Sequence, residues 1–175
     1  MSPAFLDPPF ARAAGPARHR AFTLVEVMVV VAIVSVVAAI GMPAVRRVAL
    51  TARATAAAND LRVFAAAFQG YSQQNANYPP NAGIGVMPPA MSGSLGSTAW
   101  LRITPIGGRY KWNNNANHAG TRYRASISIR TQGRNRVTTD QAQLIALDRR
   151  IDDGNLAAGA FFLGAGNEPV FIIER

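Results

Sequence analysis

The chain has no cysteine, a single lysine (Lys111) and only two histidines, His19 and His118. Without cysteine there are no disulfides, no thiolate metal centres and no cysteine nucleophile, and cysteine usage gives no reading of compartment. With one histidine left beyond the first twenty residues, a zinc centre or a histidine-based dyad has too few members. His118 itself lies in Asn-Asn-Asn-Ala-Asn-His-Ala-Gly and reads as a loop residue. Gly83-Ile-Gly85 and Gly164-Ala-Gly166 lack the strand–turn–helix setting of a phosphate cradle and read as turn glycines. No catalytic constellation emerges, and the chain is read as a non-enzyme.

Acidic residues are also scarce, nine against eighteen basic ones, which leaves a formal charge of +9 over 175 residues. The arginines are scattered: Arg46, Arg47, Arg53 and Arg62, then Arg102 and Arg109, then Arg122, Arg124, Arg130, Arg134 and Arg136. Such a balance describes a solvated basic surface that is compatible with acidic partners, phosphate-rich polymers or anionic lipid. Of the 175 residues, the first 45 or so stand apart, so the globular part is a single small domain with a modest core.

What the chain does have is one long apolar run. From Phe22 to Val45 only Thr23, Glu26, Ser35, Gly41 and Pro43 interrupt it. As a helix, these residues would extend about 36 Å, enough for a hydrocarbon core of roughly 30 Å. The run is too long for a secretory signal and has no small-residue cleavage site after it, so a membrane-spanning helix is expected. Glu26 is the anomaly. An ionised side chain in such a span is costly and ordinarily has a partner. No basic residue lies within two turns on its carboxyl side, and Arg20 is six residues upstream.

Arg20-Ala-Phe-Thr-Leu-Val-Glu26, with a basic leader before it and an apolar run after it, resembles the prepilin signal of type IV pilins and type II secretion pseudopilins. The resemblance is specific over residues 18–47. It implies a leader over residues 1–21, cleavage by a prepilin peptidase between Ala21 and Phe22, and N-methylation of Phe22. Glu26 would then meet the new α-ammonium group of a neighbouring subunit and set register during filament assembly, since a buried charge stranded without its partner is strongly destabilising. Pro43, preceded by Gly41, stands where the family has a helix-kinking proline. Ala21 departs from the family's usual glycine before the cut. Arginines flank both sides of the run (Arg18 and Arg20, then Arg46, Arg47 and Arg53), so charge leaves orientation near a tie. The resemblance implies a cytoplasmic leader, an inner-membrane single pass with the head outside the cytoplasm, and later a periplasmic or surface filament. Implied partners are further copies of the chain, the peptidase, an inner-membrane assembly platform and, before assembly, membrane lipid.

Past Pro43 the pattern turns amphipathic. Leu50, Ala54, Ala57, Leu61, Phe64, Phe68 and Tyr71 recur at spacings of four and three, with Asn59, Asp60 and Arg62 off the stripe. The sequence is thus divided into an apolar helix (22–45), an amphipathic helix (46–74) and a head (75–175). Residues 75–108 are rich in Pro, Gly, Ser and Asn and read as a long surface loop anchored by Trp100, Leu101 and Ile103. Tyr78-Pro79 resembles the turn after the helix in major pseudopilins. Strands are expected over 108–113, 122–130, 159–163 and 169–174, the last two as a hairpin. The second strand is expected to put Tyr123, Ala125, Ile127 and Ile129 on one face and arginines and serines on the other. A helix capped by Thr139 or Asp140 carries Leu144, Leu147 and Ile151. The fold class is therefore α+β: a long N-terminal helix packed on a small antiparallel sheet.

Two site readings remain. Asp148, Asp152, Asp153 and Asn155 form the one acidic cluster. Its plain role is solubility and turn formation, and calcium, a cation with many oxygen ligands, is the only cofactor it suggests. The resemblance adds that some pseudopilin heads bind calcium in a carboxyl-terminal loop. The second is a minor pilin whose basic head contacts DNA, which requires Arg122, Arg124 and Arg130 to share an exposed face with Tyr110, Trp112 and Tyr123. The leading expectation is a structural subunit of a pilus-like filament, either a type II secretion pseudopilin or a type IV pilin.

Overall fold

A computed structural model describes residues 22–175 of the chain. It divides into two units, the first ending at Met42 and the second running from Pro43 to Arg175. One helix, α1 (Leu24–Asn75), carries residues of both. Every described residue of the first unit is exposed. Among the described residues, α1 is the one helix long and apolar enough to cross a membrane.

The second unit is built on the far half of α1. Alanines and aromatics at helical spacing (Ala54, Ala57, Ala58, Leu61, Phe64 and Phe68) are buried there. Against them lies a four-stranded antiparallel sheet of β1 (Arg109–His118), β2 (Thr121–Arg130), β3 (Phe161–Leu163) and β4 (Pro169–Glu174), in the order β1-β2-β4-β3. Aromatic side chains join the layers. Phe68 stacks on Trp112 with ring centroids 3.7 Å apart, and Phe64 meets Trp100 and Tyr110 edge-on at 5.0 and 4.9 Å. Large flat rings bury much apolar area with few rotors to freeze, so a small head obtains a firm core from few residues. Two further helices are short. α2 (Ser97–Leu101) lies before the sheet, and α3 (Gln141–Ile151) adds Leu144 and Leu147 to the core. Asp140 caps α3, accepting from the amides of Ala142 and Gln143, as its position before the apolar repeat indicates.

Several sequence expectations are corrected. The 75–108 segment is not only surface. It holds a 3₁₀ turn (Pro89–Met91) as well as α2, and it drives Tyr78, Met91, Leu95, Trp100 and Ile106 into the core. Leu101 and Ile103, two of the expected anchors, are instead 42% and 50% exposed. In a segment without periodicity, no regular spacing shows which apolar side chain faces in. His118 closes β1 rather than lying in a loop, because the asparagine run pairs with β2 through Asn117↔Arg122 and His118↔Thr121. β2 is buried on both faces over its middle, with Ser126 and Ser128 as covered as Ile127.

β2 also changes face. Asn115, at φ 54°, drops out of the β1–β2 register, and the β2–β4 register shifts between Ala125 and Ser126. An irregularity of this kind breaks the two-residue alternation of a strand. Arg124 accordingly lies 5.8 Å from the Tyr78 ring on the helix side, whereas Tyr123 packs near Phe162 on the opposite side. The same opposite face carries Asn113, donating to Ser128 Oγ, and His118, whose Nε2 is 2.9 Å from Ser126 Oγ. Burial, then Arg130 and Lys111, push the His118 pKa down, so the imidazole is neutral at neutral pH.

The outer edge of β1 is occupied by the 75–108 segment. The Gly85 amide donates to Tyr110 O, the Asn114 amide donates to Asn81 Oδ1, and Asn81 Nδ2 donates to Asn114 O.

Candidate assembly and cation sites

At the start of α1, the Glu26 amide donates to Thr23 Oγ1 at 3.2 Å, and the Val27 amide donates to Thr23 O. Thr23 and Glu26 thus have the spacing of a capping box, with the threonine satisfying one of the amides a helix start leaves unpaired. In the sequence Glu26 stands out purely as a stranded charge. Its place in the first turn gives it a local role as well, because the dipole of a helix favours a negative group there. Its carboxylate enters no ion pair among the described residues. Phe22 is exposed beside it, and Ala21, with the rest of the expected leader, lies outside the described residues. Pro43 is inside α1, where it removes an amide from the ladder, and a Cβ added at Gly41 would meet nothing within 4 Å.

The acidic cluster is partly assembled. Carboxylate oxygens of Asp148, Asp152 and Asp153 lie within 4.8 Å of one another. Asp152 Oδ2 accepts the Ala160 amide at 2.6 Å, and Asp153 Oδ1 accepts the Asn155 amide at 2.8 Å. These two do the turn work expected of them. Gly159 permits it, with φ +113° and no room for a Cβ beside the Asp152 carboxylate. Asn155 Oδ1 accepts the Ala157 amide, so that oxygen is already engaged in a turn. Asp148 departs from the plain reading. It is fully buried, and neither of its oxygens has a hydrogen-bond partner. Burial first, then the charges of Asp153 and Asp152, push its pKa up to about 6. A buried, unpartnered carboxylate facing two others fits a hard cation, which would supply the missing charge and accept oxygen ligands from all three.

The expected basic–aromatic surface is not assembled. Tyr110 and Trp112 are wholly buried, and Tyr123 lies on the opposite face from Arg124. Arg124 pairs with Glu174 at 2.6 Å and Arg130 with Glu168 at 2.6 Å. Tyr110 and Trp112, inside the core, cannot stack on bases, which leaves half-buried Tyr123 as the one accessible ring of the expected three.

One constellation escapes a reading of the sequence alone. Asp60 of α1, nearly buried, accepts from Arg102 Nη2 through both oxygens at 2.8 and 2.5 Å and from Tyr110 Oη at 2.8 Å. It ties the helix to the 75–108 segment and to the sheet. A signal for it exists: Asp60 is three residues after Ala57 and four before Phe64, which places it on the buried side of α1. Burial and the Asp60 charge push the Tyr110 pKa far up, so it stays a hydrogen-bond donor.

Comparison with known proteins adds two findings. Residues 16–42 match the family model described as the prokaryotic N-terminal methylation motif. Among solved structures, the chain is similar to the major type IV pilin PilA1 from Clostridium difficile, with a TM-score of 0.51 and 17% identity. That match covers 72% of this chain and 97% of the other. No curated protein sequence matches the chain.

Proposed function

We propose, for a chain that is type IV pilin-like in fold and carries a prokaryotic N-terminal methylation motif, that it is a filament subunit made by processing and helix packing. The observation that carries the reading is the state of α1: within the matched motif, the helical residues from Leu24 to Met42 are apolar but for Glu26, Ser35 and Gly41, and every one of them is exposed. Lipid covers that surface before assembly, and other copies cover it afterwards. A prepilin peptidase removes residues 1–21 by cutting between Ala21 and Phe22, and Phe22 is then N-methylated. The resulting ammonium group of one subunit meets Glu26 of another, which neutralises both. Gly41 and Pro43 loosen the helix where it leaves the apolar run. Tyr78-Pro79 at the end of α1 favours a type II secretion pseudopilus over a type IV pilus.

The test is the mass of the mature amino terminus after co-expression with a prepilin peptidase, beside Glu26→Val. An N-methylated Phe22 is expected in both proteins, with filaments recovered from the wild type alone. A chain that keeps Met1 would overturn the processing step, and filaments from the variant would overturn the role of Glu26.

The cation reading rests on Asp148. Calcium held by Asp148, Asp152 and Asp153 would steady the turn between α3 and β3. Calcium titration of the chain, followed by thermal unfolding, checks it: a rise in Tm that Asp148→Asn abolishes is expected, and an equal Tm with calcium or chelator would remove the site.

A further inference from the structure

Three arginines on α1 have no partner among the described residues. Arg46, Arg47 and Arg53 are exposed, and they enter no ion pair or side-chain hydrogen bond there. Six other arginines are engaged, while Arg134, Arg136, Arg149, Arg150 and Arg175 of the head are likewise without a side-chain partner among the described residues. Arg102, Arg124 and Arg130 are in ion pairs, Arg62 donates to Arg150 O, Arg109 to Leu101 O and Arg122 to Asn115 Oδ1. No acidic residue lies on α1 between Glu26 and Asp60, so these three charges have no local counter-charge along the helix. Nor does the head cover them, because the first buried residue of α1 is Ala54. Position matters as much as charge. Arg46 and Arg47 follow directly on the apolar run that ends at Val45. A run of that length fills the hydrocarbon core, and the headgroup layer beyond it is roughly 5–8 Å deep, about three to five helical residues.

We propose that Arg46 and Arg47 bind the phosphate groups of anionic phospholipids on the head side of the bilayer and so set the depth of α1 before assembly. The inference rests on the membrane-inserted stage of the function proposed above. Guanidinium groups are chemically suited to this contact. They remain charged, fork onto phosphate oxygens and lay their stems along apolar surface while the charged end stays in the polar layer. Arg53 lies seven residues beyond Arg46, on the same side of the helix, and extends the positive stripe outward. In a filament the same arginines leave lipid, so lipid release accompanies extraction from the membrane.

The test uses the full chain in nanodiscs of equal parts phosphatidylglycerol and phosphatidylethanolamine, with the retained lipids counted by native mass spectrometry. Wild type should retain phosphatidylglycerol over phosphatidylethanolamine about fivefold for each arginine engaged. Arg46→Gln/Arg47→Gln should lose most of that preference, and Arg134→Gln/Arg136→Gln, which changes head arginines, should keep it. Arg18 and Arg20 are present in every version, so the comparison between variants isolates the head side. Equal retention by wild type and Arg46→Gln/Arg47→Gln overturns the contact, and so does loss of the preference in millimolar inorganic phosphate, which would identify a free-anion site. Displacement of the lipid by duplex DNA overturns it in favour of a nucleic acid partner. A chain that inserts without lipid preference sinks only this contact. One that never enters the disc sinks the span and the filament reading with it.

Discussion

Asp60 and Asp148 are both carboxylates facing the interior of the head, yet their surroundings give them opposite consequences. Asp60 has its donors, so removing the acid strands Tyr110 and half-exposed Arg102 and opens a gap at the helix–sheet contact. Asp60→Ala is expected to cost about 2–4 kcal/mol in urea unfolding, and Tyr110→Phe about 1–2 kcal/mol, since only one hydrogen bond goes. Arg102→Ala should cost less than Asp60→Ala because solvent already screens the guanidinium, whose side chain is 48% exposed. Asp148 has only the Gly154 backbone close to its carboxylate, too little to offset its burial, and it has the reverse sign. Its pKa is raised from the ordinary aspartate value to about 6, so the fold holds the proton more tightly than the unfolded chain does. That proton linkage makes the ionised group destabilising above pH 6, and the penalty fades as pH falls through 6 toward 4. In chelator, Asp148→Asn should therefore raise the Tm at pH 7, by an amount equivalent to roughly 2–3 kcal/mol, and flatten the profile between about pH 4 and 6. In calcium the wild type should recover the difference and the variant should not respond.

At the scale of elements, the aromatic ladder between α1 and the sheet concentrates the packing energy in few contacts. Phe68→Ala removes the stacked partner of Trp112 and is expected to cost about 3–5 kcal/mol, read from chemical denaturation of the head. The helix face that makes this contact is legible in the sequence as a stripe at alternating spacings of four and three, as are α3, with Thr139 or Asp140 before it as the cap, and the pairing of β3 with β4. What is not legible has identifiable causes. Strict alternation puts Tyr123 on the face of Ile127, and the register shift against β4 between Ala125 and Ser126 undoes that alternation locally. α2 is five residues long, too short to show a period, and its Trp100 is held by an indole N–H bond to Val86 O that no sequence spacing announces. Asp148 reads as solubilising because acidic residues at a helix end usually are. Its burial follows from α3 turning that position inward beside Leu144 and Leu147, at a helical spacing the sequence already contains.

For the molecule as a whole, the two units differ in what covers them. Among the described residues the core belongs to the second, in which every buried residue lies at or beyond Ala54. A chain beginning at Ala49 should therefore stay soluble as a monomer and unfold cooperatively with a Tm close to that of the full chain, measured by size exclusion and calorimetry. The full chain should need detergent or lipid, since its exposed large apolar residues cluster between Phe22 and Val48. Loss of cooperativity in the shortened chain would show that the apolar half of α1 supports the head.

The sheet's edges bear on what happens when many copies crowd together. An open strand edge invites another chain to add a strand, which is the route to disordered fibres. Here Asn81 and Gly85 already take up amides and carbonyls along β1, and β3 at the other margin is only three residues long. Neighbours held at very high local concentration find little backbone to zip onto. In the proposed filament, order would be left to the apolar helix, and the heads could be packed closely without templating aggregation.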